Sequence, residues 1–248
     1  MRLAQAGLFF SYVIFIFFLI CHIYSVNVND ERRKVMNLEL IKNNIIFRLI
    51  TKKEFDRLTK QLEATKDEFP YRKWNDLYLI YRSILPNQSE DLVTTMLISN
   101  FIMKRLKFTE EELFQFAKTN TAKRTGIIVT PLSNPFRNEM SAKTDIWNFS
   151  DDTSDSTILS NRNLMNGAAL ILCDEVMDKV VEHYKVNVLY ILPSSIHEVI
   201  IIPDSDSVDV EYLKDMVYEI NRSTVAPEER LSDHVYKYTC ATKSFEML

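Results

Sequence analysis

The strongest chemical suggestion in this chain is the segment Ser194-Ser195-Ile196-His197. A serine close to a histidine can act as nucleophile and general base, provided an acid such as Asp204 or Asp233 orients the imidazole. Hydrolases of that kind display the serine on a sharp elbow flanked by glycine. The chain has three glycines, Gly7, Gly126 and Gly167, and none is near. Neighbouring side chains on a strand point to opposite faces, which separates His197 from Glu198. Ser194, Ser195 and His197 are thus the catalytic candidates, and the pattern favours a serine turn leading into a hydrogen-bonded structural histidine.

Other chemistries find less support. No second histidine follows His197 at the spacing of a zinc protease. The cysteines (Cys21, Cys173, Cys240) and the remaining histidines (His22, His183, His234) are scattered, so no metal site is expected. Asp204, Asp206, Asp209 and Glu211 lack the glycine and terminal glutamate of a calcium loop and read as the acidic start of a helix. Three glycines cannot write a dinucleotide fingerprint or a phosphate loop, so no cofactor is expected. Tyr71-Arg72-Lys73-Trp74 and Lys104-Arg105-Leu106-Lys107-Phe108 are short basic stretches in an acidic chain of pI about 5.7, which argues against nucleic acid. Asn87, Asn148 and Asn221 begin glycosylation sequons, which have meaning only in a secreted protein.

The 248 residues carry a net charge of −4 and 46% hydrophobic residues, enough to bury a real core. Residues 1–35 form a leader around the apolar run Leu8 to Ile20. It can be read as a membrane anchor over residues 8–26, as a signal, or as sequence ahead of a start at Met36. An anchor puts the protein on a membrane; a start at Met36 puts it in the cytoplasm. Residues 36–130 hold 16 basic and 12 acidic residues, and residues 131–248 hold 10 and 20. This asymmetry suggests a basic lobe over 36–130, a linker or long loop over 131–156 and an acidic lobe over 157–248.

In the first lobe, Leu38, Ile41, Ile45 and Leu49 predict a helix from about Asn37 to Ile50. Thr51-Lys52-Lys53-Glu54 and Thr109-Glu110-Glu111-Glu112 are capping boxes for two more helices, the second running to about Asn120. Leu77 to Leu85 and Leu92 to Leu106 flank the turn Pro86-Asn87-Gln88-Ser89 and predict a hairpin. Ile146, Trp147 and Phe149 should dock the linker onto one of the lobes. In the second lobe Gly167 to Leu172 reads as a short strand, and Asp174 as the cap of a helix facing inward through Val176, Val180, Val181 and Tyr184. Val186 to Leu192 and Ile196 to Ile202 are strands. Val199 to Ile202 is apolar on both faces, as in a central strand with helices on each side. A helix through Val210, Leu213, Val217 and Ile220 and a strand from His234 to Tyr238 follow. Such alternation gives an α+β or α/β fold.

Four blocks in the second lobe carry a family resemblance. They are Asn166-Gly167-Ala168-Ala169, Tyr190 to Ile200 (YILPSSIHEVI), Val225-Ala226-Pro227-Glu228-Glu229, and Leu231-Ser232-Asp233 with Val235-Tyr236. Together they resemble an uncharacterised family of bacterial proteins, a domain of unknown function, from about Ile45 onward. Members usually carry a sizeable region ahead of the matched part, where this chain has its leader. The resemblance implies no activity and no site residues. Sequence features therefore favour a noncatalytic binding or accessory module with an unknown protein or small-molecule partner. The alternative is a serine hydrolase using Ser194 or Ser195 with His197.

Overall fold

A computed structural model describes residues 39, 41–63, 66–85, 94–133 and 144–248. The leader, including residues 8–26, and the turn at residues 86–89 lie outside these. Among the described residues no helix is long and apolar enough to cross a membrane.

The mixed α+β expectation holds, built on two sheets. The first has four strands: β1 (Ile45–Ile50), β2 (Tyr71–Trp74), β3 (Leu77–Ile84) and β4 (Thr95–Leu97). All pairings are antiparallel, with β1 along one side of β3 while β2 and β4 share its other side. One face packs on helix α1 (Lys52–Glu63) through Ile50, Leu58, Phe69 and Ile80. Thr51 opens α1 by accepting from the Glu54 N–H at 3.2 Å. The other face carries Phe47, whose ring lies 5.3 Å from Phe114 on helix α3 (Glu110–Thr125). Between these, helix α2 (Asn100–Leu106) starts at the Ser99 cap, and the full capping box at Thr109 and Glu112 starts α3.

Ile45–Ile50 is thus a strand, where the spacing suggested a helix. Five of its six residues are buried because helices cover both faces, so it shows no polar side for periodicity to detect. The expected hairpin exists as β3 with β4, but its second arm is three residues long and gives way to α2.

The second sheet has seven strands: β5 (Ile128–Pro131), β6 (Ile146–Trp147), β7 (Thr157–Ser160), β8 (Val188–Leu192), β9 (Glu198–Pro203), β10 (Tyr236–Thr239) and β11 (Ser244–Met247). Their order is β11-β10-β8-β9-β7-β5-β6, antiparallel except for β5 with β6. Strand β5, on the basic side of the charge divide, hydrogen-bonds into this sheet, and residues 44–248 form one compact unit. Trp74 of the first sheet packs against Tyr236 and Phe245 of the second, at 4.9 and 5.2 Å. The sheets therefore divide the chain differently from the charge pattern.

Helix α5 (Val210–Ser223) covers one face of the second sheet, burying Leu213 and Val217 with Leu192 and Val235. Val199 and Ile201 are fully buried on the opposite face, while Ile200 and Ile202 are partly buried under α5. Gly167–Leu172 is a 3-10 turn, not a strand. Asn166 enters it with φ 59°, and a side chain at Gly167 would strike the His197 carbonyl at 2.5 Å. Helix α4 (Asp174–Tyr184) is preceded by Cys173, which gives no side-chain cap. Asp174 is its first residue and pairs instead with Lys118 at 2.8 Å. Phe149 docks as expected, stacked 4.1 Å over the His183 ring.

Candidate functional site

The blocks that carry the family resemblance are tied together by hydrogen bonds. The Gly167 N–H donates to the His197 carbonyl at 3.0 Å and the Ala168 N–H to the Ile196 carbonyl at 3.3 Å. The Ile196 N–H donates to the Glu229 carbonyl at 2.8 Å, and the N–H groups of Leu231 and Ser232 reach the carbonyls of Ser194 and Pro193, each at 3.1 Å. Ser160 adds its hydroxyl to the His197 carbonyl at 2.9 Å. These bonds make a polar clasp across the open ends of β8 and β9.

Within the clasp His197 is held on both ring nitrogens. Nδ1 accepts the Asn166 backbone N–H at 3.2 Å, which leaves the proton on Nε2, 3.4 Å from a Glu229 carboxylate oxygen. Ser195 turns its oxygen to the backbone N–H of His197 at 3.0 Å, away from the ring. Ser194 is buried, and among the described residues no serine hydroxyl bonds the imidazole. Neither proposed acid orients the ring. Asp204 sits beyond the far end of β9, and Asp233 accepts from Asn221 at 2.5 Å and from Arg222 at 2.9 Å. A nucleophile–base pair needs the serine hydrogen-bonded to the ring, a contact this arrangement does not make.

The other sequence candidates fall apart as sites. Asp209 caps α5, accepting from Glu211 at 3.0 Å and Tyr212 at 3.4 Å. Among the described residues no three His, Cys, Asp or Glu side chains gather as metal ligands. Cys173 is buried, and burial pushes its thiol up to about 12. Asn221 is fully buried with its amide donated to the Ser232 carbonyl, which excludes glycosylation of the folded chain; Asn87 lies outside the described residues.

Beside the clasp opens a cavity of about 740 Å³, in the size range of small-molecule sites. One wall is the junction of β1 and α1, with Arg48, Lys53, Glu54 and Arg57; the other is the segment from Pro227 to His234, with Ile196 from the serine turn. Arg57 grips both Glu54 oxygens at 2.6 Å, and these hydrogen bonds hold the Glu54 carboxyl below the usual range. Ser232 donates to Asp76 at 2.8 Å and Tyr236 also bonds Asp76. Sequence reasoning missed Arg48 and Glu229. The only signal for the first was a single cation inside Ile45-Ile46-Phe47-Arg48-Leu49-Ile50; for the second, its place in the Val225–Glu229 block.

Two largely antiparallel sheets, a hydrogen-bonded clasp and a charged cavity beside it describe an α+β protein in which, among the described residues, no serine hydroxyl is bonded to the His197 ring. The chain belongs to DUF5688, a family of unknown function whose model matches residues 15–240. The match begins thirty residues ahead of Ile45 and runs through the segment suggested as a linker. No curated protein and no solved structure matches the chain.

Proposed function

We propose that this protein is a noncatalytic binding module whose ligand occupies the cavity beside the clasp. The observation that supports it is the bonding of His197: Nδ1 accepts from Asn166, Nε2 faces Glu229 and the Ser195 hydroxyl is turned to the His197 backbone N–H, while the neighbouring cavity is open and has Arg48 and Lys53 in its lining. A site that holds its histidine this way is suited to shape a wall for a ligand, not to move protons.

The test is to expose the folded full chain to a polar small-molecule extract and look for noncovalent adducts by native mass spectrometry. Pro227→Trp, at the exposed rim, should diminish the adduct by filling the cavity mouth. Labelling of Ser194 or Ser195 by an activated phosphonate, lost in His197→Ala, would replace this reading with a serine hydrolase.

A further inference from the structure

One cation in the cavity lining, Arg48, has no ion-pair partner among the described residues, and the carboxylates Asp76 and Glu228 of the same lining form no ion pair there either. In the β1–β3 ladder Ile46 faces Arg82 and Arg48 faces Ile80, so Arg48 and Arg82 lie diagonally on one face of the first sheet, the face that α1 covers. Arg82 is spent on Thr95, donating to its hydroxyl at 2.7 Å and its carbonyl at 2.9 Å. The third guanidinium nearby, Arg57, is spent on Glu54. Arg48 has neither a side-chain hydrogen bond nor an ion pair among the described residues, and its Nε is completely buried. Three guanidinium groups thus share one carboxylate, and that carboxylate is already held on both oxygens.

An unpaired buried guanidinium is costly, because its lost hydration is not replaced. The strain shows in direction: burial lowers the proton affinity of Arg48, and burial together with the neighbouring Arg48 pulls Arg82 down to about 10. Around Arg48 the cavity wall adds Lys53, which forms no ion pair among the described residues, and Arg230, whose Nε reaches only the Val225 carbonyl at 3.1 Å. Ile50 beside Arg48, and Ile196 and Leu231 across the cavity, supply apolar surface. The volume far exceeds what a bare oxyanion would fill.

We infer that Arg48 anchors an oxyanion: the ligand is a small molecule with a carboxylate or phosphate at one end and a largely apolar body along Ile196 and Leu231. Nε is buried, so the two terminal nitrogens of the planar Arg48 guanidinium would meet two oxygens of one oxyanion. Lys53 and Arg230 would add charge at the mouth. This rests on the binding-module reading and gives it a ligand class.

The experiment follows the arginine Nε–H resonances by NMR while sodium phosphate or sodium succinate replaces sodium chloride at constant ionic strength. At least one of the two anions should shift the Arg48 resonance saturably, and the stronger of them identifies the oxyanion type. Arg48→Met should weaken that binding about tenfold or more, the size of one charge-assisted contact. Arg48→Lys, which keeps the charge without the fork, should fall between and guards against a misfolded variant. Absence of a saturable shift with both anions, or equal binding by Arg48→Met, would overturn the assignment. A neutral ligand blocked by Pro227→Trp but indifferent to Arg48→Met would overturn the oxyanion while leaving the binding module standing. A chain that binds nothing from the extract in any variant would remove both.

Discussion

His197 and Arg48 face similar circumstances and meet different fates. Each is a polar residue at or inside a six-residue apolar strand segment; Arg48 lines one wall of the cavity, and His197 follows Ile196, which lines the other. His197 is satisfied on its ring and its backbone, by Asn166, Glu229, Gly167, Ser160 and Ser195. Arg48 is left with a buried Nε and no hydrogen-bond or ion-pair partner among the described residues. Buried polar groups in folded proteins are almost always bonded; the Oδ1 atoms of Asn166 and Asn221 are also buried without a partner, so what sets Arg48 apart is its charge and its place in the cavity lining. The two are also joined by topology, since Ile196 and the Pro227–His234 segment belong to the clasp on one side and to the cavity on the other.

The comparison assumes a rigid sheet beneath the clasp, and its largest test breaks that sheet. Ile201 is fully buried between β7 and β8, so Ile201→Ala should cost about 2–5 kcal/mol in chemical denaturation. Ile200, half covered by α5, should lose only about 1–2 kcal/mol on the same change. Equal losses would mean that α5 seals its face as completely as the helices opposite seal theirs.

Next in size is the clasp itself. His197→Ala strands the Asn166 N–H and frees Glu229, and should lower stability by about 1–3 kcal/mol. Ser195→Ala should be milder, because it leaves one backbone N–H near water. A loss below about 0.5 kcal/mol for His197→Ala would show that the clasp is held by backbone bonds alone.

A smaller effect is expected in the pH profile. Burial raises the carboxyl of Glu198 above the ordinary glutamate range, opposed by nearby His197. The folded state then holds that proton at a pH where the unfolded chain has released it. Stability should therefore fall as pH rises from the ordinary glutamate value, about 4.3, through the raised one. Glu198→Gln should abolish this part of the slope, seen by comparing denaturation midpoints of both proteins at pH 4 and pH 7. An unchanged slope would assign the dependence to other carboxyls.

Much of the second sheet could be read from the residues. The period of α5, the strands through Val188–Leu192 and Glu198–Pro203, and the caps at Thr51 and Thr109 each rest on local physics that acts over a few residues. What escaped was decided at a distance. Ile45–Ile50 became a strand because two helices, one of them some seventy residues away, bury both its faces, with Thr121 accepting the Phe47 N–H at 2.9 Å. Gly167–Leu172 became a turn because Gly167 must lie against the His197 carbonyl. The serine–histidine motif was visible as letters, but its meaning depended on Asn166 and Glu229, which bind from thirty residues on either side. Arg48 had no local mark beyond being charged among isoleucines.

The smallest expected change in stability is also the one that separates the two polar residues most cleanly. Arg48→Met removes a guanidinium with no hydrogen bond among the described residues and replaces it with a flexible apolar chain that reaches about as far as the arginine Nε. It also relieves Arg82 of its nearest like charge. Exchanging a poorly compensated buried charge for an apolar group is often neutral or stabilising. The unliganded protein should therefore stay within about 1 kcal/mol of the wild type, on the stable side, and the Arg82–Thr95 bonds should persist. A loss of 2 kcal/mol or more in thermal or chemical denaturation would mean that Arg48, like His197, is part of the architecture. The cavity would then lose the group on which the oxyanion assignment rests.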